Sequence, residues 1–484
     1  MANRSGLRII FAATIGTSLV AACGSNSTNG TAGIGGASFG GMSFAGASGA
    51  ITSGMGGAMA SGTGGVPSAG GSAPMVGAGG GAPLGSGGTI GAGGIAVVGG
   101  APPVGGAGAI PSAGVGGTAG APAGGAAGAA GAAGMGGMAQ LFPPFPTNGM
   151  PITAPDKTWT YLDFPDTKCR DGSAAGLAVS LNSASTKVMI FLQGGGACFD
   201  ALTCAANLAN NSTQKGAITT GLFNRNNAAN PVKDWNYVFV PYCTGDTYLG
   251  TNDNGMITGV NGTQHFLGRK DLESFLNRIV PTFPKATQVL LTGVSAGGFG
   301  AASSSYLVQR AFGSVPVTMI DDSGPPMSTM VIPECLQEKW RTTWGLEGSI
   351  LADCGASCPN QNNYTIDYTK FVLKLADMRG NVKSGLIDSD DDSVITLFYG
   401  YGQNNCTGSL TTPVPKAQYD AGLLEFRSII MGLTQNFGTY YPNSTQHTWL
   451  LDDNTLYSEA EGGTKLIDWI TAIINGTGVS QVGM

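Results

Sequence analysis

Histidine is almost absent: His265 and His447 are the two in 484 residues. That scarcity excludes histidine-rich metal centres. The nine cysteines do not repeat a C-x-x-C spacing, so a zinc site has no support and no metal or cofactor is expected. Charged residues make up only 11% of the chain. There is no basic run and no basic–aromatic interleaving, which argues against nucleic-acid binding. Despite 81 glycines, the G-x-x-x-x-G-K frame of a phosphate-binding loop is missing. The N-terminal apolar run, Ile9 to Val20, is too short for an ordinary membrane span.

What is present falls into unlike parts. Arg4 and Arg8 precede the apolar run, as in an export signal. The run ends Leu19-Val20-Ala21-Ala22-Cys23, which resembles the lipobox of bacterial lipoproteins. The resemblance implies cleavage after residue 22 and lipid attachment at Cys23. The domain is then exported and held at the cell envelope or surface, touching the membrane through that anchor only. Residues 24–138 are mostly Gly, Ala, Ser, Thr and Pro, without one charged residue. They cannot bury a core that offsets backbone entropy. Residues 23–139 therefore read as a tether, with a root-mean-square span of roughly 60 Å for a Gly-rich coil. Residues 140–484 hold 21 basic and 29 acidic residues, net −8, once Arg4 and Arg8 are set aside. This part is long enough for one large domain. Its eight cysteines (169, 198, 204, 243, 335, 354, 358 and 406) suggest up to four disulfides in an exported chain. Cys198 with Cys204 and Cys354 with Cys358 are close enough for local pairs.

Apolar β-type runs recur at 158–162, 187–193, 237–242, 288–292 and 315–320. Helix-compatible stretches lie between several of them, including 269–279 and 300–311. Alternation of this kind predicts an α/β fold with a mostly parallel sheet flanked by helices. Functional residues are then expected in loops at the strand carboxyl ends.

Gly293-Val294-Ser295-Ala296-Gly297 sits at such a position, after a strand and before a helix. This is the G-x-S-x-G elbow that presents a serine nucleophile in α/β-hydrolases. A glycine run, Gly194-Gly195-Gly196, follows the 187–193 strand. In the same architecture, backbone N–H groups from such a loop and from the residue after the nucleophile bind the oxyanion. The candidates are Gly195, Gly196 and Ala296. The order nucleophile, acid, base selects His447 over His265, which reads as a surface or capping residue opening a helix. The acid lies between Ser295 and His447. Asp321 and Asp322 follow one strand; Asp388, Asp390, Asp391 and Asp392 form a second cluster. Asp392, next to the apolar Val394-Ile395, is the least loop-like of its group.

Four segments, Gln193–Cys198, Tyr242-Cys243-Thr244-Gly245, Gly293–Gly298 and Asp321–Gly324, resemble the pectin acetylesterase family, which includes the Notum-type carboxylesterases. The likeness runs in order through about residues 150–475. It implies an α/β-hydrolase fold and metal-free acyl removal by Ser295, Asp392 and His447, with Gly195, Gly196 and Ala296 as oxyanion donors. It also implies O-deacetylation, with a polysaccharide such as pectin as a substrate, so an acylated carbohydrate or small ester is the expected partner. Gly196 or Ala197 stands where the family often has Trp. Asp391 stands where it often has Tyr, and no cysteine neighbours His447. Lipid or polyester hydrolysis, an inactive binding module on a hydrolase scaffold and a passive surface protein are the competing readings. The segment from Pro325 to Leu375, with Trp340, Trp344 and three cysteines, is a candidate cap.

Overall fold

The computed structural model describes residues 145–211, 215–378, 382–407 and 412–484. The leader, Cys23 and the tether lie outside the described residues. The strands are β1 (Thr160–Phe164), β2 (Ala175–Ser180), β3 (Lys187–Leu192), β4 (Asn236–Val240), β5 (Asn252–Gly255), β6 (Gln264–Phe266), β7 (Gln288–Val294), β8 (Val317–Asp322), β9 (Ser384–Ile387), β10 (Phe437–Tyr440), β11 (Ala460–Glu461), β12 (Thr464–Lys465) and β13 (Gln481–Val482). Nine of them form one sheet in the order β1-β2-β4-β3-β7-β8-β9-β10-β13. The pairs β1/β2 and β2/β4 are antiparallel. From β4 to β13 every pairing is parallel. The domain is thus a mostly parallel α/β sheet of the α/β-hydrolase type.

Helices cover both faces. They are α1 (Ala201–Ala206), α2 (Gly268–Thr282), α3 (Ala296–Phe312), α4 (Glu334–Trp344), α5 (Ile350–Cys354), α6 (Tyr364–Met378), α7 (Ile395–Gly400), α8 (Lys416–Met431), α9 (Asp453–Ser458) and α10 (Leu466–Ile474). The strand sequence explains the layering. In β3, Val188, Ile190 and Leu192 enter one core with Leu272, Leu276 and Leu307. Met189 and Phe191 enter the opposite core with Leu466 and Ile470. Side chains alternate across a strand, so a continuous apolar run needs cover on both faces.

The expected strands at 158–162, 187–193, 237–242 and 288–292 form within two residues of those positions. The run at 315–320 also forms, two residues later. Pro316 has no N–H for the ladder, so β8 opens at Val317 and runs on through Asp321 and Asp322. Those acids lie in the strand, not after it. His265 does not open a helix either. It sits in β6, which pairs antiparallel with β5, and α2 begins at Gly268. The disulfides are Cys169–Cys243, Cys198–Cys204, Cys335–Cys406 and Cys354–Cys358. They consume all eight cysteines of the domain and include both local pairs.

Candidate active site

β7 delivers Ser295 to the carboxyl edge of the sheet, and α3 starts at the next residue. Ser295 has φ 57° and ψ −123°, a conformation that costs a residue with a Cβ strain energy. Surrounding glycines make the turn possible. A Cβ at Gly297 would strike the Leu192 carbonyl of β3, and one at Gly293 would strike the Gly297 carbonyl. The Ser295 N–H donates to the Asp322 carbonyl at 2.7 Å, tying the elbow to β8. Ala296 is the first residue of α3, so its N–H has no intrahelical acceptor and lies at the positive end of the helix dipole.

The glycine loop leaves β3 beside the elbow. A Cβ at Gly194 would lie 2.9 Å from Ser295 Cβ. Gly195 and Gly196 have φ of +154° and +77°. Their N–H groups donate to no acceptor among the described residues. Gly196 and Ala296 line the same pocket as Ser295.

His447 and Asp392 arrive on paired loops. Asp388 N–H donates to Tyr440 O, Asp390 N–H to Pro442 O and Asp391 N–H to Ser444 O. Ser389 Oγ donates to Gln446 O at 2.6 Å. These bonds extend the β9–β10 pairing beyond the sheet and bring His447 Nδ1 within 2.8 Å of Asp392 Oδ2. Asp392 is fully buried. Its other oxygen accepts from Val394 N and Ile395 N at 2.9 and 2.8 Å, which fixes the carboxylate at the start of α7.

The other acids are occupied elsewhere. Asp322 Oδ2 accepts from Trp449 N and Leu450 N, just past His447, and its Oδ1 accepts from Ser323 Oγ. Burial pushes its carboxyl up to about 6, against those hydrogen bonds and the nearby His447. Asp322 therefore joins the serine elbow, through its carbonyl, to the histidine loop, through its carboxylate. Asp321 points towards Gly298 and Gly324. Burial first, then Asp322, holds it well above the usual carboxylate range. Asp388 accepts from Tyr419 Oη at 2.5 Å. Asp390 pairs with Lys416, and Asp391 lies in the loop that pairs with Ser444. His265 lies on the β5–β6 hairpin with Nδ1 2.6 Å from Asp253 Oδ1.

The pocket beside Ser295 is apolar. Its cavity volume is about 40 Å³. The candidate cap supplies much of its wall: Pro326, Trp340, Trp344, Ile350, Tyr364 and Tyr368. Trp340 stacks on Trp344 at 5.7 Å, and Phe199 meets Trp340 edge-on at 5.9 Å. Trp344 Nε1 donates to Cys198 O, fastening α4 to the end of the glycine loop. Ile395, Phe398 and Tyr399 of α7 complete the wall. Sequence reasoning missed these three; the signal was the apolar run directly after Asp392.

Residues 158–367 match the family Pectinacetylesterase. That stretch contains the glycine loop and the elbow and ends before Asp392 and His447. Palmitoleoyl-protein carboxylesterase NOTUM of Drosophila melanogaster is 24% identical over 216 residues, 40% of this chain and 32% of that protein. Palmitoleoyl-protein carboxylesterase notum2 of Xenopus laevis is 32% identical over 174 residues, 32% of this chain and 34% of that protein. The chain spans about a third of the length of these curated relatives. The solved Wnt deacylase Notum from Drosophila shares the fold, with a TM-score of 0.50 at 18% identity over 67% of this chain and 95% of that one. These matches give homology at family level to pectin acetylesterase and Notum-type hydrolases.

Proposed function

We propose that this homologue of the pectin acetylesterase and Notum-type hydrolases is a serine carboxylesterase, with Ser295 as nucleophile, His447 as base and Asp392 as the acid that orients it. The observation that carries the reading is the Asp392–His447 pair, on loops that Asp322 ties to the strained serine elbow. With Nδ1 held by Asp392, Nε2 is the histidine nitrogen left to accept a proton. Ser295 Oγ attacks the ester carbonyl and its proton passes to His447. The carbonyl oxygen becomes an oxyanion facing the N–H groups of Gly195, Gly196 and Ala296. The C–O bond to the alcohol breaks, and His447 returns the proton to the leaving oxygen. Water then attacks the acyl-serine by the same route and releases the carboxylic acid.

The apolar lining supports an acyl group longer than acetyl. Its walls would bury methylenes, each worth about 0.8 kcal/mol. The relatives named for palmitoleoyl-protein esters agree with that direction. Acetylated polysaccharide, the substrate suggested by the family likeness, is the second reading, and its leaving group would lie at the mouth. We place the enzyme outside the cytoplasm, anchored through a lipid on Cys23. Replacing Cys23 with Ser should release the chain from the membrane fraction; retention there would remove the anchor.

The test is hydrolysis of p-nitrophenyl acetate, butyrate, octanoate and palmitate by the full chain, beside Ser295→Ala. The expected kcat/KM rises from the acetate to the octanoate and disappears in the variant. A maximum at acetate would support the O-acetyl reading. Equal turnover in both proteins would remove Ser295 from the mechanism.

A further inference from the structure

We infer that Asn207, a buried residue just past α1 and outside the acyl pocket, is the positioning residue of the oxyanion site. The inference rests on the serine-esterase reading above. Asn207 Nδ2 donates to the Gly195 carbonyl oxygen at 2.7 Å. In a trans peptide the C=O and the following N–H point in opposite directions. Fastening Gly195 O on the outer side therefore turns the Gly196 N–H the other way, towards the pocket that Gly196 shares with Ser295 and Ala296. Such a clamp is needed because Gly195 and Gly196 have no side chains to fix their torsions.

The Asn207 amide is held in one orientation. Arg170, itself buried, donates through Nε to Asn207 Oδ1 at 3.2 Å and through Nη2 to Asn207 O at 2.7 Å. Its other bonds run to Gln264 Oε1 and Cys204 O. A flipped amide would aim its NH2 at the guanidinium, so the oxygen must face Arg170 and the nitrogen must face Gly195. The Tyr242-Cys243-Thr244-Gly245 segment completes the cradle. A Cβ at Gly245, where φ is +74°, would lie 2.8 Å from Asn207 Oδ1, so only glycine fits. The disulfide Cys198–Cys204 closes the loop from the other side. Orienting one oxyanion donor acts on the transition state and leaves ground-state binding alone.

Asn207→Asp is the decisive variant. It keeps the shape and the acceptor for Arg170 but replaces the donor with a carboxylate oxygen facing Gly195 O. We expect kcat for a p-nitrophenyl ester to fall roughly 10- to 100-fold, below the full loss of a donor. KM should stay within about threefold, and phosphonylation of Ser295 by a p-nitrophenyl phosphonate should slow in parallel. The thermal midpoint should not fall. Asn207→Ser, small enough for the site and uncharged, should show the same split with a smaller loss, and it decides the matter if the Asp variant does not fold. Wild-type kcat and phosphonylation rates in folded variants, or a loss confined to KM, would overturn the inference. Ser295→Ala separates the two levels. Turnover surviving in it removes the esterase reading. Turnover lost in it but unchanged in the Asn207 variants removes only the role of Asn207.

Discussion

At the scale of single residues, the contest among acids comes down to which oxygen meets which donor. Asp392 and Asp322 are both fully buried and both lie near His447. Asp392 faces the imidazole Nδ1 itself, whereas Asp322 faces two backbone N–H groups. Asparagine at each site separates the roles. Asp392→Asn puts an amide against Nδ1, where it can hold the wrong tautomer, and kcat should drop roughly 10⁴-fold. Asp322→Asn retains a carbonyl oxygen that can accept from Trp449 and Leu450, so kcat should change by less than about tenfold. Steady-state kinetics of the two purified variants check this, and the reverse ranking would make Asp322 the acid. Position along the chain left both clusters open, and it was the family resemblance that pointed to Asp392. Both clusters lie between Ser295 and His447, and only folding shows that the 388–392 loop runs alongside the 440–446 loop. Asn207 was hidden for the same reason: a lone asparagine carries no pattern until Arg170 and Gly195 close around it.

At the scale of elements, legibility followed the size of the buried side chains. β3 and β7 were readable because they are covered on both faces, which demands the continuous runs KVMIFL and QVLLTGV. β2 (AGLAVS), β9 (SGLI) and β10 (FGTY) were not. They are as buried as β3 and β7 but rich in small residues, and they are strands because neighbours pair with them. The elbow was readable because its backbone tolerates only small residues on both sides of Ser295. The pocket was half readable, since its walls come from α4 and α7, which are far apart in sequence. Cys335, in the first turn of α4, is bonded to Cys406, just beyond α7 and 71 positions along the chain. Closing a loop of that length removes unfolded-state entropy worth about 4 kcal/mol. The Cys335→Ala/Cys406→Ala protein should therefore melt well below the wild type. Because Trp340 and Phe398 then sit on walls no longer bonded together, KM for octanoate esters should rise several-fold and KM for acetate much less. Calorimetry and the two KM values test this; an unchanged melting point would mean that packing alone holds the walls.

At the scale of the whole molecule, the site sits above a group of buried carboxyls that the fold makes hard to ionise. Asp321, Asp322 and Asp388 have no exposed surface and no ion-pair partner among the described residues. Burial raises all three, with Asp322 adding to the effect on Asp321 and Asp392 to that on Asp388. An acid whose folded value lies above its unfolded value binds its proton more tightly in the native state. Its contribution is fully present below the unfolded value and is lost as pH rises through the folded one. For Asp322 the rise from 3.8 to about 6, at 1.36 kcal/mol per unit, amounts to about 3 kcal/mol. Asp253, held low first by its hydrogen bond from Lys168, acts with the opposite sign, so the wild-type curve alone is a sum of competing slopes. The difference between wild type and Asp322→Asn isolates the one group. Urea unfolding at intervals from pH 4 to 8 should show the variant gaining on the wild type between about pH 4 and 6, by up to about 3 kcal/mol, then running parallel. Curves parallel throughout would mean that Asp322 is no harder to ionise in the fold than in the unfolded chain. In that case the link between the serine elbow and the histidine loop would carry no electrostatic cost. A gap that opens only in that window would show that the fold gives up stability to hold the two halves of the site together.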